Sequence, residues 1–185
     1  MYLAEESLYL REVRISDVNE NYYNWLNDPQ VNCYLETRFI PQSHENIKEF
    51  VRKLDGNVNE PFFAICLREN HQHIGNIKIG PINWYHRRAD ISLFIGEKCL
   101  WGRGYATKSI QLITNFGFQT LNLNKLKASC YAQNIASARA FEKCGYEREG
   151  LLREHIISCG QSIDVIILGL RAKEYWKRFK QEKEP

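Results

Sequence analysis

Apolar and polar residues are arranged along the first half of the chain in a way that predicts four strands. Residues 8–13 (LYLREV) partly alternate between the two kinds of side chain, as a half-buried strand does. The runs at 62–67 (FFAICL), 73–79 (HIGNIKI) and 89–95 (ADISLFI) are largely apolar and are separated by short polar loops. Because short loops join strands that lie side by side, these three runs predict an antiparallel meander.

Two helices are predicted between the first strand and this meander. Asp17 is a favourable N-cap for the segment 17–28, whose apolar residues recur three and four positions apart. Pro29 ends that helix, because the residue before a proline is pushed out of the helical conformation. Ser43 is the predicted N-cap of a second helix, which keeps the same apolar spacing through Leu54.

The second half of the chain predicts helices and strands in turn. In order these are a helix at 104–120, a strand at 125–132, a helix at 136–144, a strand from Tyr146, a strand at 162–170 and a short basic helix or tail at 172–185. Gly145 fits a left-handed C-cap for the helix before it. The whole order indicates a mixed α/β (α+β) domain rather than βαβ units throughout.

The composition is that of an ordinary globular protein. A chain of 185 residues, 44% hydrophobic and 25% charged, predicts one domain over 1–185 and excludes a disordered or collagen-like chain. No run approaches the ~20 apolar residues of a membrane span, and the acidic Glu5–Glu6 step lies where a secretory signal is apolar. We therefore expect a cytoplasmic protein with no membrane partner.

Charge and cysteine spacing exclude two further classes of site. Residues 171–185 account for the whole net charge of +3, so the charge gives no reason to expect a nucleic-acid partner. The six cysteines lie at least 14 residues apart, whereas structural zinc sites use pairs separated by roughly two to four residues. We expect reduced, structural thiols and no metal.

A glycine-containing loop is the most informative segment. The predicted strand ends near Ile95, and the predicted helix begins near Gly104. Gly102 and Gly104 let the backbone approach a ligand, and the first turn of the helix offers free N–H groups and a positive dipole end. Such an arrangement is an anion site, most naturally for a diphosphate. A plain strand-to-helix turn explains the loop alone equally well.

Two known phosphate motifs do not fit this loop. The sequence lacks the Gly-Lys-Ser/Thr of a nucleoside-triphosphate loop. The dinucleotide motif G-x-G-x-x-G fails because Thr107 stands at its third glycine, and no acidic residue follows about 20 positions later.

The stretch NIASARAFEKCGYEREGLLRE, which begins at Asn134, follows the glycine loop by about 30 residues. Together the two segments resemble the GNAT superfamily of acetyl-CoA-dependent N-acetyltransferases, most of all the branch with the bacterial ribosomal-protein N-terminal acetyltransferases. The resemblance covers roughly Leu8 to Leu170. The family motif R/Q-x-x-G-x-G/A matches residues 101–106 (WGRGYA), where Trp101 replaces Arg or Gln.

The resemblance implies a GNAT-like fold whose central, mostly antiparallel sheet has six to seven strands, is splayed at the CoA site and is flanked by helices. It implies acetyl-CoA as co-substrate, with the loop backbone on the pyrophosphate and the preceding strand edge on the pantetheine arm. The residues so implied are Leu93, Phe94, Ile95, Trp101, Gly102, Arg103, Gly104, Tyr105, Ala106, Thr107, Asn134 and Phe141.

The resemblance also implies direct attack of an amine on the acetyl thioester. Asp90 is the first candidate for the base that deprotonates the amine, and Glu154 and His155 are the next. Many relatives use a tyrosine to protonate the CoA thiolate, but Phe141 stands at that position here. Ser137 matches the serine of the ribosomal-protein branch and is the candidate proton donor.

The acceptor side is expected to come from the first helices and from the loop before residue 89. The candidate contacts are Trp25, Tyr34, Glu36, Arg38, Trp84 and Tyr85. We expect the acceptor to be a protein N-terminus or a small-molecule amine, with an amino sugar or nucleotide-linked amino sugar as an alternative. A non-catalytic acyl-CoA-binding module and a homodimer remain open.

Overall fold

The computed structural model describes residues 3–158 and 160–181. Its strands, in chain order, are β1 (Leu3–Ala4), β2 (Leu8–Glu12), β3 (Phe62–Leu67), β4 (His73–Ile79), β5 (Arg88–Ile95), β6 (Lys125–Tyr131), β7 (Glu147–Ser158) and β8 (Gln161–Arg171). They form one sheet in the order β1-β2-β3-β4-β5-β6-β8-β7. Every neighbouring pair is antiparallel except β5 with β6. The predicted mixed fold with a mostly antiparallel sheet is confirmed.

Over residues 3–158 and 160–181 the sheet has eight strands, one more than the upper end of the expected range. The additional strand is β1, in which Leu3 pairs with Leu10 and Ala4 with Tyr9. A strand of two residues carries too little alternation for a periodicity argument to detect.

The helices flank the sheet. In chain order they are α1 (Glu20–Asn27), α2 (Pro29–Asn32), α3 (His44–Leu54), α4 (Tyr105–Asn115), α5 (Ile135–Lys143) and α6 (Ala172–Gln181). The predicted helix at 104–120 is α-helical only as far as Asn115, and it continues as a π-helix over Phe116–Thr120.

The prediction that Asp17 caps α1 is wrong, because Asn19 holds that position. The Asn19 side chain accepts hydrogen bonds from the backbone N–H groups of Asn21 and Tyr22, at 3.0 and 3.3 Å. Asp17 is buried instead, and its two carboxylate oxygens each accept from the Arg11 guanidinium at 2.7 Å. Both residue types are good caps, so only the path of the chain separates the two roles.

Alternate residues of each strand point to opposite faces of the sheet, and helices cover both faces. On the side that we call the α4 face, α4 and α5 build the larger core from Ile110, Ile113, Ala138 and Phe141 with Ile77, Leu126 and Leu168. On the opposite side, the α1 face, the first three helices build a second core from Tyr22, Trp25, Val31, Ile47 and Val51 with Tyr9 and Cys66.

The last helix, α6, follows β8 directly and packs onto the α4-face core. Tyr175 is buried there, with its ring centroid 4.8 Å from that of Phe118, and its hydroxyl donates to Asn115 Oδ1 at 2.9 Å. The helix predicted for 172–185 is therefore present to Gln181, and residues 182–185 lie outside the described residues. In the described ranges, no helix combines the length and apolar character that crossing a membrane requires.

Candidate functional site

A cleft opens between β5 and β6, the two parallel strands at the centre of the sheet. The strands pair over three positions, ending at Asp90 opposite Lys127. Beyond that point β5 runs on to Ile95, held by β4, and β6 runs on to Tyr131, held by β8. The expected splay is therefore present. We call the space between the diverging edges the cleft, with its closed end at Asp90.

The strand edge on the β5 side of the cleft presents backbone rather than side chains. Leu93 and Ile95 pack against the α4-face core, and Phe94 packs against the α1-face core. Because strand N–H and C=O groups lie in the plane of the sheet, those of the cleft edge are available to an extended ligand. This geometry fits the pantetheine arm that the resemblance implies.

The glycine loop lies at the open end of the cleft. Gly102 and Gly104 have φ of +75° and +85°, values that favour glycine, and a Cβ on either would meet nothing within 4 Å. The N-cap of α4 is Gly104, which has no side chain with which to cap the helix. The first N–H groups of an 11-residue helix therefore face the loop without a side-chain cap. These residues fit an anionic ligand such as a pyrophosphate.

The loop is anchored to its surroundings by Trp101 and Lys98. The indole N–H of Trp101, the residue that departs from the family motif, donates to the carbonyl of Ile95 at 2.8 Å. Lys98 forms an ion pair with Asp28 at 2.7 Å and also donates to the Gln30 side chain at 2.9 Å. The loop is thus tied both to the end of β5 and to the start of α2.

Trp25 lies beneath this loop, not on its surface. Its side chain is buried in the α1-face core, and its indole N–H donates to Glu97 Oε1 at 3.3 Å. Gly96 packs so closely on the indole that an added Cβ would lie 2.1 Å from the ring. Trp25, proposed from the sequence as an acceptor contact, therefore supports the start of the loop.

On the β6 side of the cleft, α5 brings Asn134 and Ser137 together. The Asn134 side chain caps α5 by accepting the Ser137 N–H at 3.2 Å, and Ser137 Oγ lies 3.2 Å from the Cys130 sulfur on β6. Burial raises the pKa of the Cys130 thiol, which stays protonated. Phe141 is 2% exposed within the α4-face core, so its ring lies behind the cleft wall.

Three of the acceptor candidates meet at the end of β6 on the α1 face. Arg38 Nη1 donates to the Tyr131 hydroxyl at 2.7 Å and to the carbonyl of Leu35 at 2.8 Å, and the Tyr131 hydroxyl donates to Glu36 Oε1. The Tyr34 ring contacts the Tyr131 ring edge-on, with centroids 5.8 Å apart. The Glu36 side chain is 72% exposed, whereas that of Arg38 is only 11% exposed.

Tyr131, around which this cluster is built, is not among the residues expected from the sequence. The available signal was its position at the end of a predicted strand, two residues after Ser129 and four after Lys127, on the polar face. Strand alternation identifies such a face, but it does not show that residues 34–38 fold over it.

The structure does not bring the other candidates to this cluster. Asp90 lies at the closed end of the cleft, where its carboxylate forms an ion pair with Lys127 at 3.1 Å. Trp84 and Tyr85 lie in the loop before β5, beyond that closed end. Trp84 donates to Asn59 Oδ1 at 2.8 Å, and Tyr85 is 97% exposed.

Glu154 and His155 lie on β7, the edge strand, where the pairing with β8 shifts register between Leu152 and Ile156. Glu154 adopts φ +50°, and its N–H donates to Asp164 Oδ1 at 2.8 Å. Because β8 separates β7 from β6, these side chains stand two strand spacings, about 10 Å, from the cleft edge.

Comparison with known proteins places this arrangement in a family. A family model described as an acetyltransferase (GNAT) domain matches residues 7–147. The chain is 30% identical over 177 residues to the uncharacterized N-acetyltransferase p20 of Bacillus licheniformis, an alignment that covers 94% of this chain and 97% of the relative. It is 26% identical over 138 residues to a spermidine N(1)-acetyltransferase of Vibrio cholerae, covering 74% and 78% of the two chains.

Solved structures share the fold. A spermidine N-acetyltransferase from Vibrio cholerae, in complex with CoA and spermine, superposes with a TM-score of 0.82 at 25% identity and covers 91% of this chain and 98% of its own. A GNAT-family acetyltransferase from Bacillus anthracis gives a TM-score of 0.82 at 24% identity, covering 94% and 100%. With its splayed cleft, its glycine loop and a matching family model over most of its length, the chain belongs to the GNAT acetyltransferase family and is an acyltransferase.

Proposed function

We propose that this protein moves the acetyl group of acetyl-CoA to a primary amino group of a small, positively charged amine of the polyamine class. The observation that carries the proposal is the exposed Glu36 carboxylate, held by Tyr131 at the end of β6, the strand that forms one wall of the cleft. A carboxylate in that place attracts an ammonium group as it approaches the thioester. The relatives that act on spermidine support the same acceptor class.

Acetyl-CoA binding is assigned to the two walls of the cleft and to the loop. The N–H groups at residues 102–107 hold the pyrophosphate, and the edge of β5 at residues 93–95 pairs with the pantetheine arm. Asn134 borders the arm from the start of α5. A backbone N–H of the β5 edge faces the thioester oxygen and stabilises the negative charge that develops on it.

The reaction forms a C–N bond between the amine nitrogen and the acetyl carbon and breaks the C–S bond, so that CoA leaves as a thiolate. The amine must first lose a proton. An alkyl amine with a pKa near 10.4 costs about 4.6 kcal/mol to deprotonate at pH 7, against roughly 1 kcal/mol for a peptide α-amino group. A polyamine acceptor therefore requires a base, whereas a protein N-terminus requires much less help.

The candidates for proton transfer that the sequence suggested lie at different distances from the cleft. Asp90 lies on β5, at the edge of the cleft, so it remains a candidate base although its carboxylate forms an ion pair with Lys127. Ser137 lies beside the cleft wall at Cys130 and remains the candidate donor to the thiolate. Glu154 and His155 serve only if the acceptor extends across β8 to the edge strand.

An amine panel tests the proposal. The purified chain is incubated with acetyl-CoA and spermidine, spermine, glucosamine or a short peptide with a free N-terminus, and release of CoA thiol is followed. We expect release above the amine-independent rate with spermidine and spermine. Release with glucosamine alone or with the peptide alone would replace the polyamine with that acceptor class.

Calorimetry with acetyl-CoA distinguishes an enzyme from the remaining alternative, a non-catalytic acyl-CoA-binding module. If the protein binds acetyl-CoA but no amine increases thiol release, the chain is an acyl-CoA-binding module. If acetyl-CoA at about 100 μM, well above common micromolar constants, gives no binding heat, the assignment of the cleft and loop is wrong.

A further inference from the structure

The hydrogen bonds at the end of β6 have a fixed direction. Arg38 has only donors, and an ionised carboxylate has only acceptors. The Tyr131 hydroxyl must therefore accept from Arg38 Nη1, at 2.7 Å, and donate its own hydrogen to Glu36. The three side chains form a directed chain that begins at a buried positive charge and ends at an exposed negative one.

Among these three side chains, the Glu36 carboxylate is the group that offers acceptor oxygens to a proton and is open to water. Burial and the hydrogen bond to Glu36 raise the pKa of Tyr131, so the hydroxyl stays protonated. Arg38 is a permanent cation. The hydroxyl oxygen has two lone pairs, and Arg38 occupies one of them. Tyr131 is 7% exposed, and among the described residues only Arg38 donates to its hydroxyl oxygen, so the second lone pair is left for an N–H of an incoming ammonium group.

The position of these three side chains on the sheet favours proton transfer from an amine that enters the cleft. Tyr131 lies four residues beyond Lys127, about 13 Å along β6 from the last paired position. At that distance the edge of β5 is open to the cleft, and Phe94 is the β5 residue at the same level and on the same face. Asp90, by contrast, lies at the closed end and is engaged by Lys127 at 3.1 Å.

We propose that Glu36 is the proton acceptor for the incoming amine, that Tyr131 relays the proton, and that Arg38 is a positioning residue. The inference rests on the proposed function. The ammonium group gives a proton to the Tyr131 oxygen while Tyr131 gives its hydroxyl proton to Glu36. The neutral amine then attacks the acetyl carbon, the C–S bond breaks and CoA leaves as the thiolate, and the new amide nitrogen releases its second proton to water. The exposed Glu36 carboxyl returns its proton to water.

The experiment compares Glu36→Gln and Tyr131→Phe with the wild-type chain, using acetyl-CoA and spermidine across pH 6 to 10. A general base contributes about 10²- to 10⁴-fold, so kcat at pH 7 should fall about 100-fold or more in Glu36→Gln. The loss should shrink toward pH 10, because the free amine then forms without a base. Tyr131→Phe should show the same pH trend, and the Kd for acetyl-CoA should stay unchanged in both.

Two further variants make the comparison specific. Glu69→Gln removes an exposed carboxylate in the turn between β3 and β4, which β4 and β5 separate from the cleft edge, and should match the wild type at every pH. Asp90→Asn tests the competing base. Circular dichroism and thermal unfolding establish that each variant is folded before its kinetics are compared.

The outcomes separate this inference from the proposed function. If the wild-type chain shows no amine-dependent CoA release, the proposed function fails. If the wild type is active and Glu36→Gln keeps its kcat and its pH profile, only the inference fails. A change confined to KM, or a kcat loss equal at all pH values, would also overturn it, because either would make Glu36 a binding or structural group. A pH-dependent loss in Asp90→Asn alone would assign the base to Asp90.

Discussion

Replacing the glycine that opens α4 isolates what the loop contributes to acetyl-CoA binding. Gly104 has φ +85°, and a Cβ there would meet nothing within 4 Å. Gly56, in the turn after α3, has φ +66° and is equally open, but it lies away from the cleft. Gly104→Ala and Gly56→Ala are therefore a matched pair, since each places an L-residue in the left-handed region at a cost of about 1–2 kcal/mol.

Comparing the two variants separates the effect of the substitution on folding from its effect on acetyl-CoA binding. Both variants should lose about 1–2 kcal/mol of the free energy of unfolding, because neither new methyl group meets a clash. Only Gly104→Ala should weaken acetyl-CoA binding, because its methyl group occupies open space beside the N–H groups that receive the pyrophosphate. If this costs the complex a further 1.4 kcal/mol or so, the Kd rises about tenfold.

The assay is an isothermal titration of each variant with acetyl-CoA, paired with urea denaturation of the free protein. Equal affinity in Gly104→Ala and Gly56→Ala, within about twofold, would refute the reasoning that the pyrophosphate approaches the backbone at Gly104. A tenfold loss shared by both variants would refute it too, because the cause would then be a general loosening of the fold.

Three other expectations concern stability, each measured by denaturant unfolding. Asp17→Asn should cost about 3–5 kcal/mol by leaving the buried Arg11 charge unpaired. Burial opposes ionisation of Asp17, but its hydrogen bonds with Arg11 and the backbone hold its pKa below the usual value. The free energy of unfolding of the wild type should therefore decline as pH falls below about 4. This decline should be weaker in Asp17→Asn, which has no carboxylate to protonate at that position. Thr114→Val should cost about 1–3 kcal/mol, because the buried Tyr146 hydroxyl, 2.9 Å from Thr114 Oγ1, would lose its partner. Asn19→Ala should cost about 1 kcal/mol as a lost N-cap. A cost under about 0.5 kcal/mol, the range of an ordinary surface change, would contradict the corresponding contact.

The local pattern of apolar and polar residues was sufficient to predict much of the secondary structure. The meander at residues 62–95 alternates or clusters apolar residues strongly enough to be located within a residue or so. The glycine loop could be predicted as a candidate anion site, because glycine at φ above zero and a helix N-terminus are local properties of the chain. The geometry of Gly102 and Gly104 agrees with that expectation.

Local pattern failed where two segments distant in the chain had to meet. Tyr131 was missed because its partners, Glu36 and Arg38, lie 95 and 93 residues away in sequence. Trp25 carries the same aromatic character whether it lines a cleft or fills a core, and only the packing of Gly96 on its ring places it in the core.

The sequence by itself determined the kinds of secondary structure, the turn at the glycine loop and the family, because these depend on periodicity, backbone conformation and short motifs that act within a few residues. The tertiary structure alone decided how β5 and β6 diverge beyond Asp90 and which polar groups face the opening. The physical reason is that hydrogen bonding between Arg38, Tyr131 and Glu36 exists only after the sheet and the segment before α3 have packed together.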